Sequence, residues 1–481
     1  MIWAQILWGL FLAGLLGWNF RRAWRWEHGA EAEGFWVRKY GRQTYVFVPP
    51  TILFWILLLF LGLFMLRLGV WDGLSRFAAL TSDVLLLLSA YFLLLLALLP
   101  LLRRRISARA CAVLWMAPAF LSWQANTLIS IQPLPRRTIY IPRRVMPVLI
   151  AVWIAGFFAV AGYYLISHLV FRRWVRRHTH AEPDAAVRSL WEAEREALDY
   201  RWPVSLLRGP VPAPFSMGST KRGRCTVLPE RDYSPEELSM IFRHELHHLQ
   251  REDVDTKAFL CLCNALCWFN PLVWIATRKA AEDLERSCDE IVTEQMGEAE
   301  RRAYAHLLLD AAAPGRGCTT CLSAAAGTLR YRLKNVMEQR RRALGTLLLM
   351  AALFGCVLCF GLVSVSDARG SFTELVLRDT QIESVIDDRD RAAVIHDWDD
   401  AALREILRGV ELEHLGGLRS STAEGYGGIT FILPGLRFAH LTERKLTVFD
   451  SQKLLPNNTA DCYLVRSAVD FDAIRAALEA G

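Results

Sequence analysis

Charged side chains are in short supply in this chain: Asp, Glu, Lys and Arg make up 22% of its 481 residues, whereas 53% are hydrophobic. Few charges combined with much apolar content exclude a disordered or fibrous protein. The chain also lacks a basic segment before its first apolar run, and a basic cluster, Arg21, Arg22 and Arg25, follows that run instead. This order argues against a cleaved signal peptide and predicts a first membrane span with its N-terminus outside.

The cysteines do not form the pattern of a secreted disulfide framework. There are 11 of them, and most lie in apolar stretches, as Cys111, Cys356 and Cys359 do. We interpret these as small hydrophobic side chains of the core. Cys318 and Cys321 have the spacing of a redox or zinc pair, but no second pair accompanies them, so a loop is the simpler interpretation.

Long stretches without any Asp, Glu, Lys or Arg indicate whether the protein is soluble or embedded in a membrane. Each is near or above the ~20 residues that cross a bilayer as a helix. Six such runs are residues 1–20, 43–66, 84–102, 110–135, 145–171 and 343–366. The sequence therefore predicts an α-helical polytopic membrane protein that is embedded in a lipid bilayer.

Basic clusters between the runs predict the sidedness. They lie at residues 21–42, 103–105, 172–177 and 340–342, and cytoplasmic loops are enriched in Lys and Arg. Placing all four in the cytoplasm requires six crossings with both termini outside. The weakest run is 110–135, which carries Gln124 and Asn126. If that run were only re-entrant, residues 172–177 would face outward instead.

The six-span plan divides the chain into four parts. Residues 1–171 form an N-terminal membrane region of about five spans, 172–342 a cytoplasmic domain, 343–366 the last span and 367–481 an extracytoplasmic domain. The outer domain carries 20 acidic and 13 basic residues, so the basic excess lies in the rest of the chain. We attribute that excess to the positive-inside bias and expect no direct nucleic-acid binding. Short β-rich runs and two helix-like segments in residues 367–481 predict a small α+β module.

A helix start and a metal-binding pattern lie close together in the cytoplasmic domain. Ser234, Pro235 and Glu237 are a typical N-cap, first-turn proline and capping-box glutamate. On the predicted helix, His244 and His248 share one face, one turn apart, so both imidazoles can bind one zinc ion. Glu245 lies beside them and can accept a proton from the attacking water. His247 points off this face, and we interpret it as a bystander or as a group that supports the ligands from behind.

A catalytic zinc site uses three protein ligands and leaves one position open. Asn270-Pro271 separates an apolar helix from another helix, which presents Glu285 and, four residues later, Asp289. Glu285 is the natural third ligand. Asp289 can accept a hydrogen bond from a ligating histidine and thereby fix its tautomer. A carboxylate pair at this spacing is otherwise common on a solvated helix face.

Over residues 203–337 the sequence resembles the membrane-bound zinc metallopeptidases typified by the BlaR/MecR beta-lactam sensor-transducers. The residues that carry the resemblance are Pro214-Phe215-Ser216-Met217-Gly218, Val227-Leu228-Pro229, the His244 to His248 motif with Arg251 and Asp253, Trp268-Phe269-Asn270-Pro271-Leu272-Val273-Trp274, and Glu285-Arg286-Ser287-Cys288-Asp289. The resemblance implies zinc bound by His244, His248 and Glu285, with Glu245 as general base. It also implies an edge hairpin at 214–229, where Phe215, Ser216, Met217 and Gly218 would bind a peptide substrate as an added strand.

The resemblance further implies a mostly helical, gluzincin-like protease domain on the cytoplasmic side and an outer sensor after the last span. In the best-known members an outer ligand triggers self-cleavage in the cytoplasm and the loss of a transcriptional repressor. This chain departs from them because it has about six apolar runs rather than four. Its outer domain is also too short for a penicillin-binding fold and contains no Ser-x-x-Lys. Beta-lactam sensing is therefore not expected, and the outer ligand stays unidentified.

Three functions compete on these grounds. The first is a signalling metalloendopeptidase that cuts itself or a cytoplasmic regulator, and the Gly-, Ala- and Ser-rich stretch 314–328 is the expected place of self-cleavage. The second is a housekeeping quality-control protease of the membrane. The third is a receptor whose protease domain is a non-enzymatic scaffold, although a scaffold has no need of Glu245.

Overall fold

The computed structural model describes twelve continuous segments and five further single positions. They are residues 2–31, 35–46, 69–117, 134–142, 144–218, 223–311, 326–338, 342–378, 380–389, 394–420, 428–451 and 459–480, with residues 59, 62, 63, 65 and 66. Most of the predicted span 43–66, the part 118–133 of the predicted span 110–135 and most of the stretch 314–328 lie outside the described residues.

Long apolar helices make up most of the described N-terminal region. Its elements are α1 (Ile2–Glu27), α2 (Phe35–Tyr40), α3 (Val70–Arg105), α4 (Ala108–Leu114), β1 (Arg137–Tyr140) and α5 (Met146–His178). Among the described residues, Thr81–Arg105 of α3 and Val148–His178 of α5 are long and apolar enough to cross a membrane. Both helices leave large apolar side chains exposed, such as Leu94 and Phe158, as lipid-facing helices do. The helix α4, at the start of the predicted span 110–135, is instead fully buried.

A helical domain with a small sheet follows α5. Its elements are β2 (His180–Ala181), α6 (Ala185–Ala197), β3 (Ser205–Gly209), β4 (Phe215–Met217), β5 (Cys225–Pro229), α7 (Pro235–Gln250), α8 (Asp253–Leu266), α9 (Pro271–Thr293), α10 (Glu298–Ala311) and α11 (Ala326–Met337). The predicted start of α7 is confirmed. The Ser234 hydroxyl accepts a hydrogen bond from Glu237 N at 3.2 Å, and the Glu237 carboxylate accepts one from Ser234 N at 2.8 Å. Asn270 caps α9 by accepting from Leu272 N.

The last apolar helix is shorter than the predicted span 343–366. It is α12 (Thr346–Cys359), with 14 residues, and a strand begins at Val363. At 1.5 Å per residue the helix is roughly 21 Å long, less than the ~30 Å hydrocarbon core. The sequence after α12 alternates Val363 and Val365 with Ser364 and Ser366, which is a strand period rather than a helix period. The end of the predicted span therefore belongs to the sheet that follows.

The C-terminal region is a nine-stranded sheet with two helices. Its elements are β6 (Val363–Ser371), a π-helical turn (Thr373–Leu377), β7 (Ser384–Asp387), β8 (Val394–Ile395), α13 (Asp400–Arg408), β9 (Glu411–Ser420), β10 (Ile429–Leu433), β11 (Arg437–Leu441), β12 (Lys445–Asp450), β13 (Thr459–Val465) and α14 (Phe471–Glu479). The strand order is β1-β6-β9-β13-β12-β11-β10-β7-β8. Leu403, Leu407 and Ile474 bring the helices into the core under the sheet.

The sheet takes one strand from the N-terminal region. β1 pairs in parallel with β6, from Arg137 opposite Val363 to Tyr140 opposite Ser366. Thr138 Oγ1 also donates to Glu413 Oε2 of β9 at 2.9 Å. Residues 137–140 thus pair with the C-terminal domain, and the six-span plan predicts the same side of the membrane for both.

The long helices have one end at the sheet and the other at the helical domain. Near the sheet, Gln5 Nε2 of α1 donates to Val357 O at 2.8 Å, and Ser364 Oγ donates to Asp83 Oδ2 of α3 at 3.1 Å. At the opposite end, Arg103 Nε of α3 donates to Asp283 Oδ1 of α9 at 2.9 Å. The two folded domains therefore lie at opposite ends of the apolar helices, as two domains on opposite faces of a membrane would.

Small residues let α1 and α12 pack closely. A Cβ at Gly9 would lie 2.9 Å from Phe354 Cδ2, and one at Gly17 would lie 2.6 Å from Met350 Sδ. Glycine on one helix face allows backbones to approach, the common way in which membrane helices associate. A movement of one of these helices would therefore displace the other.

We expect a membrane-impermeant thiol reagent to distinguish the two domains in intact cells. A Leu436→Cys variant, on an exposed position of the sheet domain, should be labelled, because the plan places that domain outside. A Glu230→Cys variant, on an exposed position of the helical domain, should be labelled only after the cells are opened. The unsubstituted chain measures the background from native cysteines such as the exposed Cys359. Equal labelling of both variants in intact cells would contradict the six-span plan.

Candidate metal centre

Two histidines of α7 meet on one face of the helix. The Nε2 atoms of His244 and His248 are 3.1 Å apart, and both side chains are buried. The rings are nearly perpendicular, with an interplanar angle of 83°. Two imidazole lone pairs directed at one small volume repel each other unless a proton or a cation lies between them.

Glu285 of α9 completes a triangle of donor atoms. Its Oε2 lies 3.6 Å from His244 Nε2 and 3.6 Å from His248 Nε2. A tetrahedral zinc site with bonds of about 2.0–2.1 Å places its ligand atoms roughly 3.4 Å apart. The observed separations of 3.1 to 3.6 Å fit that requirement, so these three residues could hold a zinc ion.

Two basic side chains stabilise the charge on Glu285. Lys257 Nζ donates to Glu285 Oε1 at 3.0 Å, and Arg332 Nη1 lies 3.4 Å from Oε2. Burial alone would raise the pKa of Glu285, but Lys257 and His248 outweigh it and hold the pKa well below its usual range. The carboxylate is therefore ionised and available as a ligand at neutral pH.

The far side of His248 is held by Asp253. The Asp253 Oδ2 atom lies 2.7 Å from His248 Nδ1, and it accepts the proton of that nitrogen when Nε2 is left free as a ligand. Burial would raise the pKa of Asp253, but the hydrogen bond to His248 lowers it. Glu252, with φ 56°, reverses the chain between α7 and α8 and so brings Asp253 back to the histidine.

The far side of His244 is held through a tyrosine. Tyr304 Oη of α10 lies 3.0 Å from His244 Nδ1 and donates to Asp289 Oδ1 at 2.8 Å. Since its proton is given to Asp289, the hydroxyl accepts the Nδ1 proton of His244, which leaves Nε2 free. Arg332 in turn donates two hydrogen bonds to Asp289, at 2.8 and 2.7 Å. Asp289 Oδ1 itself lies 3.6 Å from His244 Nδ1, so the carboxylate stands behind this histidine, as predicted, with Tyr304 as the hydrogen-bonded bridge.

Glu245 and His247 are both buried on α7. Glu245 follows His244 directly, as a general base beside two ligands must. For His247, burial first and Arg251 second lower the pKa to about 3, so its ring is neutral at ordinary pH. A neutral imidazole behind the ligands adds no positive charge to a site that would bind a cation.

The end of α7 is joined to the first apolar helix by a buried ion pair. Arg251 donates from Nε and Nη2 to the two carboxylate oxygens of Glu27, at 2.9 Å each, and from Nη1 to Ser287 Oγ at 2.9 Å. Arg109 Nη2 lies 3.3 Å from Glu27 Oε1. Burial would raise the pKa of Glu27, but Arg109 and Arg251 together lower it. Arg251 was part of the sequence motif, whereas nothing in the sequence indicated Glu27 as its partner.

The predicted substrate segment lies at a sheet edge. Among the described strands the order β2-β3-β5-β4 places β4 outermost, and β4 packs beside α7. The side chains of Phe215 and Met217 point into a cluster with Phe171 of α5, and Ser216 Oγ is 2.8 Å from Thr226 Oγ1. A peptide at this edge would therefore meet mainly the backbone of β4.

Gly218 ends β4 in a conformation that requires glycine. Its φ is +99°, and a Cβ there would lie 2.0 Å from Gly223 O. Any other residue would push the two arms of the hairpin apart. Gly218 thus shapes the end of the edge strand, and its contact with a peptide substrate stays a prediction.

Comparison with known proteins finds one matching family and one curated relative. Residues 124–336 match the family described as BlaR1 peptidase M56. Over 162 residues the chain is 28% identical to the "Regulatory protein BlaR1" of Bacillus licheniformis. That match covers 33% of this chain and 26% of the relative, so about three quarters of the relative has no counterpart in the comparison.

We expect the three candidate ligands to be required for metal and the groups behind them to tune it. His244→Ala, His248→Ala and Glu285→Ala should each lose bound zinc, because one of three donor atoms is gone. Tyr304→Phe and Asp289→Asn should keep zinc but weaken its affinity about 10–100-fold. Metal content and competition with a zinc-binding dye, measured on the purified full chain, test both expectations.

Glu294→Ala provides the matched control, since it removes a carboxylate from the same end of α9 at an exposed position. It should leave zinc content unchanged. Full zinc content in Glu285→Ala would place the third ligand elsewhere.

Glu27→Gln should destabilise the folded chain by about 3–5 kcal/mol, because it leaves two buried guanidinium groups without a carboxylate. Since the pKa of Glu27 is lowered in the folded protein, this stabilisation is present at neutral pH and is lost as pH falls through the lowered pKa. Denaturant titration in detergent measures it, with the exposed Glu31→Gln as control. Equal midpoints for the two variants would show that the pair contributes nothing.

Proposed function

We propose that this chain is a membrane-embedded zinc metalloendopeptidase of signal-transducing type, since residues 124–336 match the family described as BlaR1 peptidase M56. The observation that carries the proposal is the triangle of His244, His248 and Glu285 donor atoms, 3.1 to 3.6 Å apart, with Glu245 on the same helix. Its substrates are polypeptides: the chain itself, a cytoplasmic regulator such as a transcriptional repressor, or both.

The donor set predicts the chemistry of the site. His244, His248 and Glu285 would hold a zinc ion, which would supply a Lewis acid and lower the pKa of a water molecule. Glu245 accepts the proton of the attacking water and returns it to the leaving amine. Asp253 and the Tyr304–Asp289 pair keep the Nδ1 protons of the two histidines in place, so that both Nε2 atoms stay available as ligands. Lys257 lowers the pKa of Glu285, and Arg332 Nη1 lies 3.4 Å from its Oε2, so both basic groups favour the ionised carboxylate.

Substrate binding in this proposal uses the free edge of β4. An extended peptide would add a strand to the backbone of Phe215, Ser216 and Met217, and main-chain hydrogen bonds would hold it whatever its sequence. Because β4 packs beside α7, a strand on this edge would pass near His244 and Glu245. Selection of the target then depends on which segments are extended and close to the site.

Signalling is favoured over a housekeeping role by the connection between the domains. α1 touches α12 near the sheet domain through Gln5 and reaches the metal centre through Glu27 and Arg251. An outside event on the sheet domain thus has a continuous packed route to the end of α7. A non-enzymatic scaffold is disfavoured because Glu245 and all three candidate ligands are present together.

We expect Glu245→Gln to retain zinc and to lose all peptide-bond cleavage, because the amide cannot accept the proton. With tags at both ends of the chain, the wild type should yield two fragments divided within residues 314–328, whereas the variant should stay full length. Immunoblotting and mass spectrometry of the fragments locate the cut.

Glu236→Gln serves as control, since Glu236 is an exposed glutamate in the first turn of the same helix. It should cleave as the wild type does. Identical fragments from wild type and Glu245→Gln would mean that another protease makes the cut, and a wild type that stays intact would leave a separate protein as the substrate.

A further inference from the structure

A seventh charge-free run lies inside the domain that the sequence assigns to the cytoplasm. Residues 258–277 contain no Asp, Glu, Lys or Arg over 20 positions, the length of a membrane span. The run is not one helix, because α8 ends at Leu266 and α9 begins at Pro271. We call residues 258–277 the α8–α9 hairpin.

The tip of the α8–α9 hairpin lies within the length of the candidate spans and not beyond their ends. Asn270 Nδ2 donates to Ser89 Oγ of α3 at 2.6 Å, and Arg103 of the same helix binds Asp283 of α9. Between these two contacts α3 and α9 run side by side for roughly 20 Å at 1.5 Å per residue. The hairpin therefore extends from the metal centre toward the sheet domain, within the layer formed by the candidate spans.

A second set of contacts places the tip of the hairpin beside the candidate span of α5. Trp153 Nε1 donates to Leu266 O at 2.8 Å, and Trp268 Nε1 donates to Trp153 O at 3.2 Å. Trp153 lies five residues into the candidate span Val148–His178. Gly156 makes room for the indole, since a Cβ there would lie 2.1 Å from Trp268 Cε2.

The polar side chains of the hairpin are paired with protein groups. Asn264 donates to Tyr164 Oη at 3.1 Å and accepts from Thr277 Oγ1 at 3.0 Å. Asn270 bonds to Ser89 and to Leu272 N, and Trp274 Nε1 donates to Trp268 O at 3.0 Å. A broken helix can lie at membrane depth only when neighbouring groups satisfy its polar atoms, and these contacts meet that condition.

The outward side of the hairpin is apolar. Phe269 is 53% exposed and Ile275 is 45% exposed, while Leu260, Cys263 and Val273 on the inward side join one core with Leu16 of α1 and Phe92 of α3. An exposed phenylalanine at a helix turn is unfavourable in water and favourable in hydrocarbon.

We propose that the α8–α9 hairpin is a re-entrant membrane segment, and that Phe269 and Ile275 contact lipid acyl chains. Asp253 and Glu285 flank the hairpin on its two sides, so the metal centre lies at the membrane surface, where the hairpin enters. This inference rests on the proposed placement of α3 and α5 across the membrane and is independent of protease activity.

Spin-label accessibility tests the proposal on the full chain in lipid vesicles. A nitroxide is attached through a ketone-bearing amino acid at position 269 or 275, so that native cysteines are not involved. Its relaxation by oxygen, which enters hydrocarbon, is compared with relaxation by a water-soluble nickel chelate. The proposal expects an oxygen-to-nickel ratio several-fold higher at both positions than at Leu309, which is 45% exposed on α10.

Phe158, 66% exposed on α5, is the reference for a lipid-facing position. If the oxygen-to-nickel ratios at positions 269 and 275 resemble the ratio at position 309 while the ratio at position 158 is high, the hairpin proposal is wrong and the membrane placement of α5 stands. If the oxygen-to-nickel ratio at position 158 is also low, the membrane placement of α5 is wrong, and the hairpin proposal fails with it.

A substitution gives a second measurement. Phe269→Lys should lower the yield of folded, membrane-inserted protein on the order of tenfold, because a charge facing hydrocarbon opposes insertion. Leu309→Lys should leave that yield unchanged. Equal yields of the two variants would also overturn the proposal.

Discussion

Buried carboxylates paired with basic groups hold the candidate metal centre in shape. Glu27, Asp253 and Asp289 are buried almost completely, and Glu285 is only partly exposed. Each would be costly to bury alone, since an unpaired ion in a protein interior loses several kcal/mol of hydration. Their partners come from α4, from α7 and the residue just after it, and from α8, α10 and α11, so the centre forms only when all of these elements are assembled.

This dependence makes the centre sensitive to the membrane region. The Glu27–Arg251 pair joins the first helix to the residue just after α7, and Arg251 also contacts Ser287, two positions after Glu285. A small shift of α1 would therefore move both helices that supply ligands.

The sequence predicted the parts of the site that depend on local spacing. His244 and His248 lie together because four residues make one helical turn, and the capping box placed the start of α7 correctly. Local spacing could not place Glu285, because its position beside the histidines depends on how α9 packs against α7. The resemblance to a family supported Glu285 as the third ligand. Tyr304, Lys257 and Arg332 could not be predicted, because their contacts join distant helices and no spacing signals them.

The errors of the sequence analysis have the same origin. The helical spacing of Asp289 predicted a carboxylate behind a histidine, but it could not show Tyr304, which bridges Asp289 and His244. The span 343–366 was drawn too long because hydrophobic content outweighed the alternation of Val363 to Ser366, which forms β6.

The proposed self-cleavage would act back on the metal centre itself. Residues 314–328 connect α10, which carries Tyr304, to α11, which carries Arg332, and both side chains bind Asp289. A cut between them would leave Asp289 held by two separate chains, and their association would then depend on packing alone. Loss of Arg332 would remove the double hydrogen bond on Asp289 and a positive neighbour of Glu285. Self-cleavage would thus weaken the metal centre, which is consistent with one cleavage event per molecule.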